Sequence, residues 1–219
     1  MTKVIPIVVT SGNLVEVGLA KSLAKPGGNV TGLTAMATDL SSKRLEILKE
    51  TLPKINGIAA LWTPREGEWD AGYKEAEAAA KALSLRFHSV AFSTAEHLGP
   101  AFVEMAKARD SGFIVVLSPL VTLNSKRIVE LALKYRLPGM YPTRQFAEEG
   151  GLMAYGPLVG DLYRRAATYV DKILKGIKPA DLPIEQPAKF EFVINLKTAK
   201  QIRLTVPPNV LARADNVLK

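Results

Sequence analysis

Hydrophobic positions along this chain follow two alternating rhythms. Short apolar runs of strand length, rich in β-branched residues, exchange with longer stretches whose apolar residues recur at helix-face spacing. Val4 to Thr10, Val30 to Leu33, Gly57 to Trp62, Arg86 to Ala91, Phe113 to Leu117 and Gly139 to Tyr141 read as strands. Between the first two, the pattern predicts a helix over Asn13 to Ala24, with Val15, Leu19 and Leu23 inward and Lys25-Pro26-Gly27-Gly28 as its stop. Asp39 or Ser41 can cap the next helix, which carries Leu45, Leu48 and Leu52 and closes at Pro53. An alanine-rich helix spans Trp69 to Leu83. Ser93-Thr94-Ala95-Glu96 has the form of a capping box ahead of a helix with Leu98, Phe102 and Met105 inward. Ile128, Leu131, Ala132 and Tyr135 mark one face of another.

The remainder continues the alternation. Leu152 to Tyr155 is a short strand, and Asp161 opens a helix with Leu162, Ala166, Tyr169 and Ile173 inward, ended by Gly176. A proline-rich link, Pro179 to Pro187, leads to the strand Glu191 to Ile194 and a short helix from Leu196; a final short helix follows Pro207-Pro208-Asn209. Strand-helix alternation of this kind argues for the α/β class with parallel sheets, joined by right-handed crossovers. The run from about Ser41 to Pro142 can build a complete sheet. The remaining strands are too few for a second one, and an isolated two- or three-stranded sheet leaves an open edge. Either further strands or another chain, as in a homodimer, would then complete it.

Composition narrows the function classes. The chain has 219 residues, 47% of them hydrophobic, and a net charge of +8. The positive charge is scattered over helix faces, not gathered into a run, so a basic surface is preferred to nucleic-acid binding. Cysteine is absent, which excludes disulfides, thiol nucleophiles and thiolate metal sites. No apolar run reaches membrane-spanning length. Met1-Thr2-Lys3 leads straight into Val4 to Thr10, too short a stretch for a secretory signal peptide. His88 and His97 have no partners at metal or triad spacing and read as structural. No phosphate loop or dinucleotide fingerprint is present, so no cofactor is expected.

In open α/β sheets ligands bind at the carboxyl ends of strands. Ser11-Gly12-Asn13 lies between a strand end and a helix start, where backbone N–H groups suit a carboxylate, although Ser11 or Asn13 could equally be a helix cap. Trp62-Thr63-Pro64 follows another strand: Trp62 is either a stacking surface for a flat ligand or a core tryptophan, and Thr63 offers a hydroxyl. Ser118-Pro119-Leu120 and Pro142-Thr143-Arg144 hold the corresponding places further on.

Five segments also carry a family resemblance: Ile5-Pro6-Ile7-Val8 with 22 to 32 (SLAKPGGNVTG), 43 to 49 (KRLEILK), 137 to 142 (LPGMYP), 150 to 157 (GGLMAYGP) and 194 to 200 (INLKTAK). In this order, over nearly the whole chain, they resemble the substrate-binding proteins of ABC transporters of the tryptophan/tyrosine type. The resemblance implies a type I periplasmic-binding fold: two Rossmann-like lobes, a hinge of crossing strands, and a solute held in the interlobe cleft without catalysis. It implies lobe one from 1–34 and 152–178, incomplete because family members begin with a signal peptide and about a hundred further residues, and lobe two from 35–151 and 179–219. It implies crossings near Thr31 to Ala35 and Tyr141 to Leu152, placing Thr34, Thr143 and Tyr155 by the ligand; a tyrosine at a strand end can also be simply packed. Many relatives have an aspartate near Ser11 and an acidic residue where Ser118 stands, so an amino-acid ammonium loses a partner here. The implied function is capture of a small polar or aromatic, amino-acid-like ligand in the periplasm, for delivery to an ABC permease in the membrane. A ligand-sensing module of a regulator or receptor is the alternative on the same fold.

Overall fold

The computed structural model describes residues 4–10, 12, 14–15, 17–34, 40–64 and 71–219. The chain separates into two compact units: a smaller one from 1–36 and 157–190, and a larger one from 37–156 and 191–219.

The larger unit is built on a sheet of seven strands among the described residues. They are β3 (Gly57–Trp62), β4 (Arg86–Ala91), β5 (Gly112–Val115), β6 (Gly139–Tyr141), β7 (Met153–Pro157), β8 (Phe190–Asn195) and β9 (Asn216–Leu218), in the order β4-β3-β5-β6-β7-β8-β9. Strands β4, β3, β5, β6 and β7 are mutually parallel, as the alternating pattern requires. The Asn195 N–H donates to the Leu152 carbonyl at 2.9 Å, so β8 ends where β7 begins and runs opposite to it. Strand β9 pairs in parallel with β8.

Side chains alternate between two packed faces. Ala59 and Leu61 of β3 and Phe113 and Val115 of β5 join one apolar cluster, while Ile58, Ala60 and Ile114 join the other. The first face is covered by α3 (Leu98–Lys107) and α5 (Ser125–Tyr135), the second by α1 (Ser41–Thr51), α2 (Ala71–Ala82) and α8 (Leu196–Gln201). Helices on both faces leave no solvated side, which is why β3 and β5 read as unbroken apolar runs. Short helices α4 (Pro119–Leu123), α6 (Arg144–Glu148) and α9 (Pro208–Leu211) complete the unit.

In the smaller unit β1 (Ile7–Val9) and β2 (Val30–Gly32) pair in parallel, and Leu33 bridges to Glu185. Helix α7 (Val159–Leu174) buries Leu162, Ala166 and Tyr169 against Leu33 and Leu182. Gly32 is required at its place: φ is +134°, and a Cβ there would lie 2.1 Å from the Val9 carbonyl oxygen.

Several expectations are corrected. The described part of Asn13 to Ala24 forms turns and bends, not a helix. Leu19 and Ala20 both donate to the Leu14 carbonyl at 2.9 Å, and Gly18 takes φ +70°, which a right-handed helix cannot continue. Leu14 and Ala20 are buried in consequence, while Val15, expected inward, is exposed. Thr94 precedes a single turn of 3-10 helix with no side-chain cap, so the capping box does not form and α3 starts at Leu98. Asp39 lies outside the described residues. Ser41 begins α1 without capping it; the cap comes from Glu75 of α2, whose carboxylate accepts from the N–H groups of Ser41 and Ser42 at 3.2 and 3.1 Å. The two compact units divide at 156–157 and 190–191. Residues 153 and 154 are held by β6, whereas the proline-rich link lies along β2: Ile184 donates to Leu23, Glu185 to Gly32, and Leu182 accepts from the Thr31 hydroxyl.

Candidate functional site

Because β3, β5, β6 and β7 are parallel, their carboxyl ends share one edge of the larger unit. That edge brings Thr63, Ser118, Thr143 and Tyr155 to the same side of the sheet. Thr63 is half-buried just past β3. Ser118 takes extended backbone and caps α4, its hydroxyl accepting from the Val121 N–H at 3.2 Å, with Pro119 exposed in the first turn. The hydroxyl proton of Ser118 is left free to be donated elsewhere, since capping uses the oxygen as acceptor. Thr143 precedes α6, half-buried, and makes no capping bond to it. Tyr155 is half-buried against the second apolar cluster.

Trp62 sits differently from its neighbours at this edge. It is 6% exposed, its ring lies 4.3 Å from that of Tyr73, and its indole N–H donates to the Ser89 hydroxyl at 2.9 Å. Of the two roles the sequence left open for it, the geometry is that of a core tryptophan closing the end of β3. Gly12 and Thr34 belong to the smaller unit. Gly12 is exposed with φ +81°, and Thr34 is buried, its N–H donating to the Glu185 carbonyl at 2.9 Å. Ser11 and Asn13 lie outside the described residues.

One residue at this edge was not among the candidates. Arg44 of α1 is 1% exposed. Its Nε donates to the Tyr155 carbonyl at 2.8 Å and its Nη2 to the Pro142 carbonyl at 3.4 Å, so a single guanidinium spans the ends of β6 and β7. Burial lowers its pKa to about 10, with Glu75 and Tyr155 acting in the opposite sense, so it stays protonated near neutral pH. Gly156 lies against the same spot: a Cβ there would meet the Pro142 carbonyl oxygen at 1.9 Å. A signal for Arg44 did exist. Arg44, Ile47, Leu48 and Thr51 are all buried at i, i+3, i+4, i+7 spacing, so a charge stands in phase with the inward stripe.

Arg144, next to Thr143, is already engaged. Hydrogen bonds to Glu148 and Glu191 hold it and raise its pKa. The strand ends therefore carry the hydroxyl groups of Thr63, Ser118 and Thr143 beside backbone dipoles, groups able to hydrogen-bond a small polar solute.

Away from this edge, an open groove of about 890 Å³ runs between α3 and α5, with Glu104, Lys107, Arg127 and Tyr135 among its lining residues; no strand-end candidate contributes to it. His88 of β4 borders it. Among the described residues, no cluster of three histidine, aspartate or glutamate side chains is arranged to hold a metal ion. No described helix is long and apolar enough to cross a membrane.

The profile of the ABC transporter substrate binding protein family matches residues 1–218. A tyrosine-binding protein of Clostridioides difficile (strain R20291) is 25% identical over 202 residues, covering 92% of this chain; the chain spans 58% of that relative's length. Among solved structures, an ABC domain in complex with L-Trp from Streptococcus pneumonia superposes with a TM-score of 0.89 at 25% identity, over 99% of this chain and 73% of the other. A conserved domain protein from Vibrio cholerae does so with a TM-score of 0.88 at 25% identity, over 99% and 72%. With a match over nearly every residue and an α/β fold shared with these structures, the chain belongs to the ABC transporter substrate-binding protein family.

Proposed function

We propose that this chain is the solute-capturing component of an ABC importer, and that its ligand is a small amino-acid-like molecule with a polar or aromatic side chain. The observation that carries this reading is the L-Trp complex: a solved relative that binds an amino acid shares this chain's fold over 99% of its length at 25% identity. The tyrosine-binding relative points to the same ligand class. Thr63, Ser118, Thr143 and Tyr155 supply the larger unit's polar contacts to the ligand. Pro119 shapes the loop beside Ser118. In the smaller unit the carboxylate site read at Ser11-Gly12-Asn13 loses the helix start it depended on, since the described part of 13–24 forms turns and bends, and Gly12 and Thr34 remain that unit's candidates. Trp62 supports this surface from the core. The protein works outside the cytoplasm, delivers its cargo to a membrane permease, and performs no chemistry on it.

The test is native mass spectrometry of freshly purified protein before and after denaturation, followed by calorimetric titration with L-tryptophan and L-tyrosine. An adduct with the mass of a free amino acid that vanishes on denaturation, or saturable heat with either titrant, supports the reading. A protein that carries no adduct and gives no heat with either overturns the assignment of ligand class.

A further inference from the structure

The groups at the strand-end edge are held in place by an unusual device. A charged guanidinium is costly to remove from water, and one that is 1% exposed needs a reason. In Arg44 the buried charge is directed at backbone: Nε at the Tyr155 carbonyl and Nη2 at the Pro142 carbonyl. Both carbonyls belong to residues at the carboxyl ends of neighbouring parallel strands. Pro142 directly precedes Thr143, and Tyr155 lies two residues before the chain leaves the larger unit at Pro157. Gly156 brings the tip of β7 so close to Pro142 that no side chain fits between them. The planar fork of arginine is suited to joining two acceptors at fixed spacing, whereas a lysine ammonium is a single point charge on a flexible stem. An apolar residue in phase with Ile47 and Leu48 would fill the same volume without the desolvation cost, so packing alone does not call for arginine here.

We infer that Arg44 is a positioning residue for ligand capture: it sets the separation and direction of the two strand ends that present Thr143 and Tyr155. This rests on the proposed solute-binding function, because it is the ligand that meets those two side chains. Arg44 itself, buried beneath the backbone it holds, makes no ligand contact.

The experiment compares the intact chain with Arg44→Met and Arg44→Lys by two readouts. The first is calorimetric affinity for L-tryptophan and L-tyrosine. The second, made without ligand, is residue-resolved amide exchange at Thr143, Tyr155 and Gly156, with Ile58 and Val115 of the central strands as references. Arg44→Met is expected to speed exchange at Thr143, Tyr155 and Gly156 while leaving Ile58 and Val115 unchanged. It should also weaken binding roughly tenfold, as the fraction of molecules with a competent site falls to about a tenth. Arg44→Lys should restore part of both. If exchange rises uniformly across the sheet, or the three edge residues do not respond, Arg44 is only a stabilising residue and the inference fails. If the unmutated chain binds neither amino acid, the ligand assignment fails, and the local exchange pattern still decides the role of Arg44.

Discussion

His88 and Asp110 meet at 2.6 Å, imidazole Nδ1 to carboxylate Oδ2, with the Asp110 side chain fully enclosed. The other ring nitrogen of His88 faces a second carboxylate, Glu104, at 3.0 Å, and Arg86 reaches Asp110 from the far side at 3.0 Å. A neutral imidazole has one N–H and cannot donate to both carboxylates; the imidazolium can. Desolvation acts to lower the His88 pKa, but the hydrogen bonds to Asp110 and Glu104, together with their charges, outweigh it and raise the pKa above 6.5. The cluster joins β4, the outermost strand on its side of the sheet, to α3 and the loop after it.

A pH dependence follows from the sign of that shift. A group whose folded pKa is raised gives stability that is fully present below its unfolded value and is lost as pH rises through the folded one. The His88 contribution should therefore be complete below pH 6.5 and disappear as pH climbs through its raised pKa. Urea denaturation of the native chain and of His88→Gln across this range provides the check. The stability gap between them should be widest in acid and should narrow toward alkaline pH; a gap independent of pH would mean that folding leaves the His88 pKa where it is in the unfolded chain.

Gly156 should not tolerate even a methyl group. Its Cβ would be placed 1.9 Å from the Pro142 carbonyl oxygen and 3.0 Å from the Pro142 carbonyl carbon, and an obstruction made of backbone has little freedom to yield. Gly156→Ala should cost about 1–3 kcal/mol, the usual range for overpacking. Gly160→Ala serves as the control: nothing lies within 4 Å of a Cβ there, so stability should hold or rise slightly. Chemical denaturation measures both.

Glu75 should act as the cap of a helix to which it does not belong. Glu75→Ala removes the acceptor for the first two N–H groups of α1 and should cost about 1 kcal/mol, as loss of a side-chain cap does. Glu75→Gln, which keeps an amide oxygen, should recover part of this in the same denaturation assay. Equal losses in the two variants would assign the effect to charge and not to the hydrogen bond.

Trp62 provides a test of where the ligand surface ends. Trp62→Phe removes the indole donor to Ser89 and part of the ring packed on Tyr73, which should lower stability by about 1–3 kcal/mol. Affinity for L-tryptophan should stay within about twofold, because the ring is a core element. A loss of affinity far larger than the loss of stability would make Trp62 a ligand contact.

The sequence by itself determined the class of fold and where its strands end. The runs Gly57 to Trp62 and Phe113 to Leu117 are apolar throughout because helices cover both faces of the sheet, and that pattern is local enough to read directly. Strand ends followed by Ser118 and by Thr143 could be located in the same way, since a parallel sheet must bring its carboxyl ends to one edge. Tertiary structure alone decided the rest. Whether Trp62 faces ligand or core depends on Tyr73 and Ser89, which reach it from other elements. Glu75 caps α1 from 34 residues away, and the link Pro179 to Pro187 was assigned to the smaller unit by its hydrogen bonds along β2. Arg44 reaches carbonyls 98 and 111 residues distant. Propensity and periodicity describe how a residue relates to its neighbours within a turn or two; a buried charge is placed by acceptors brought to it only when the chain has folded.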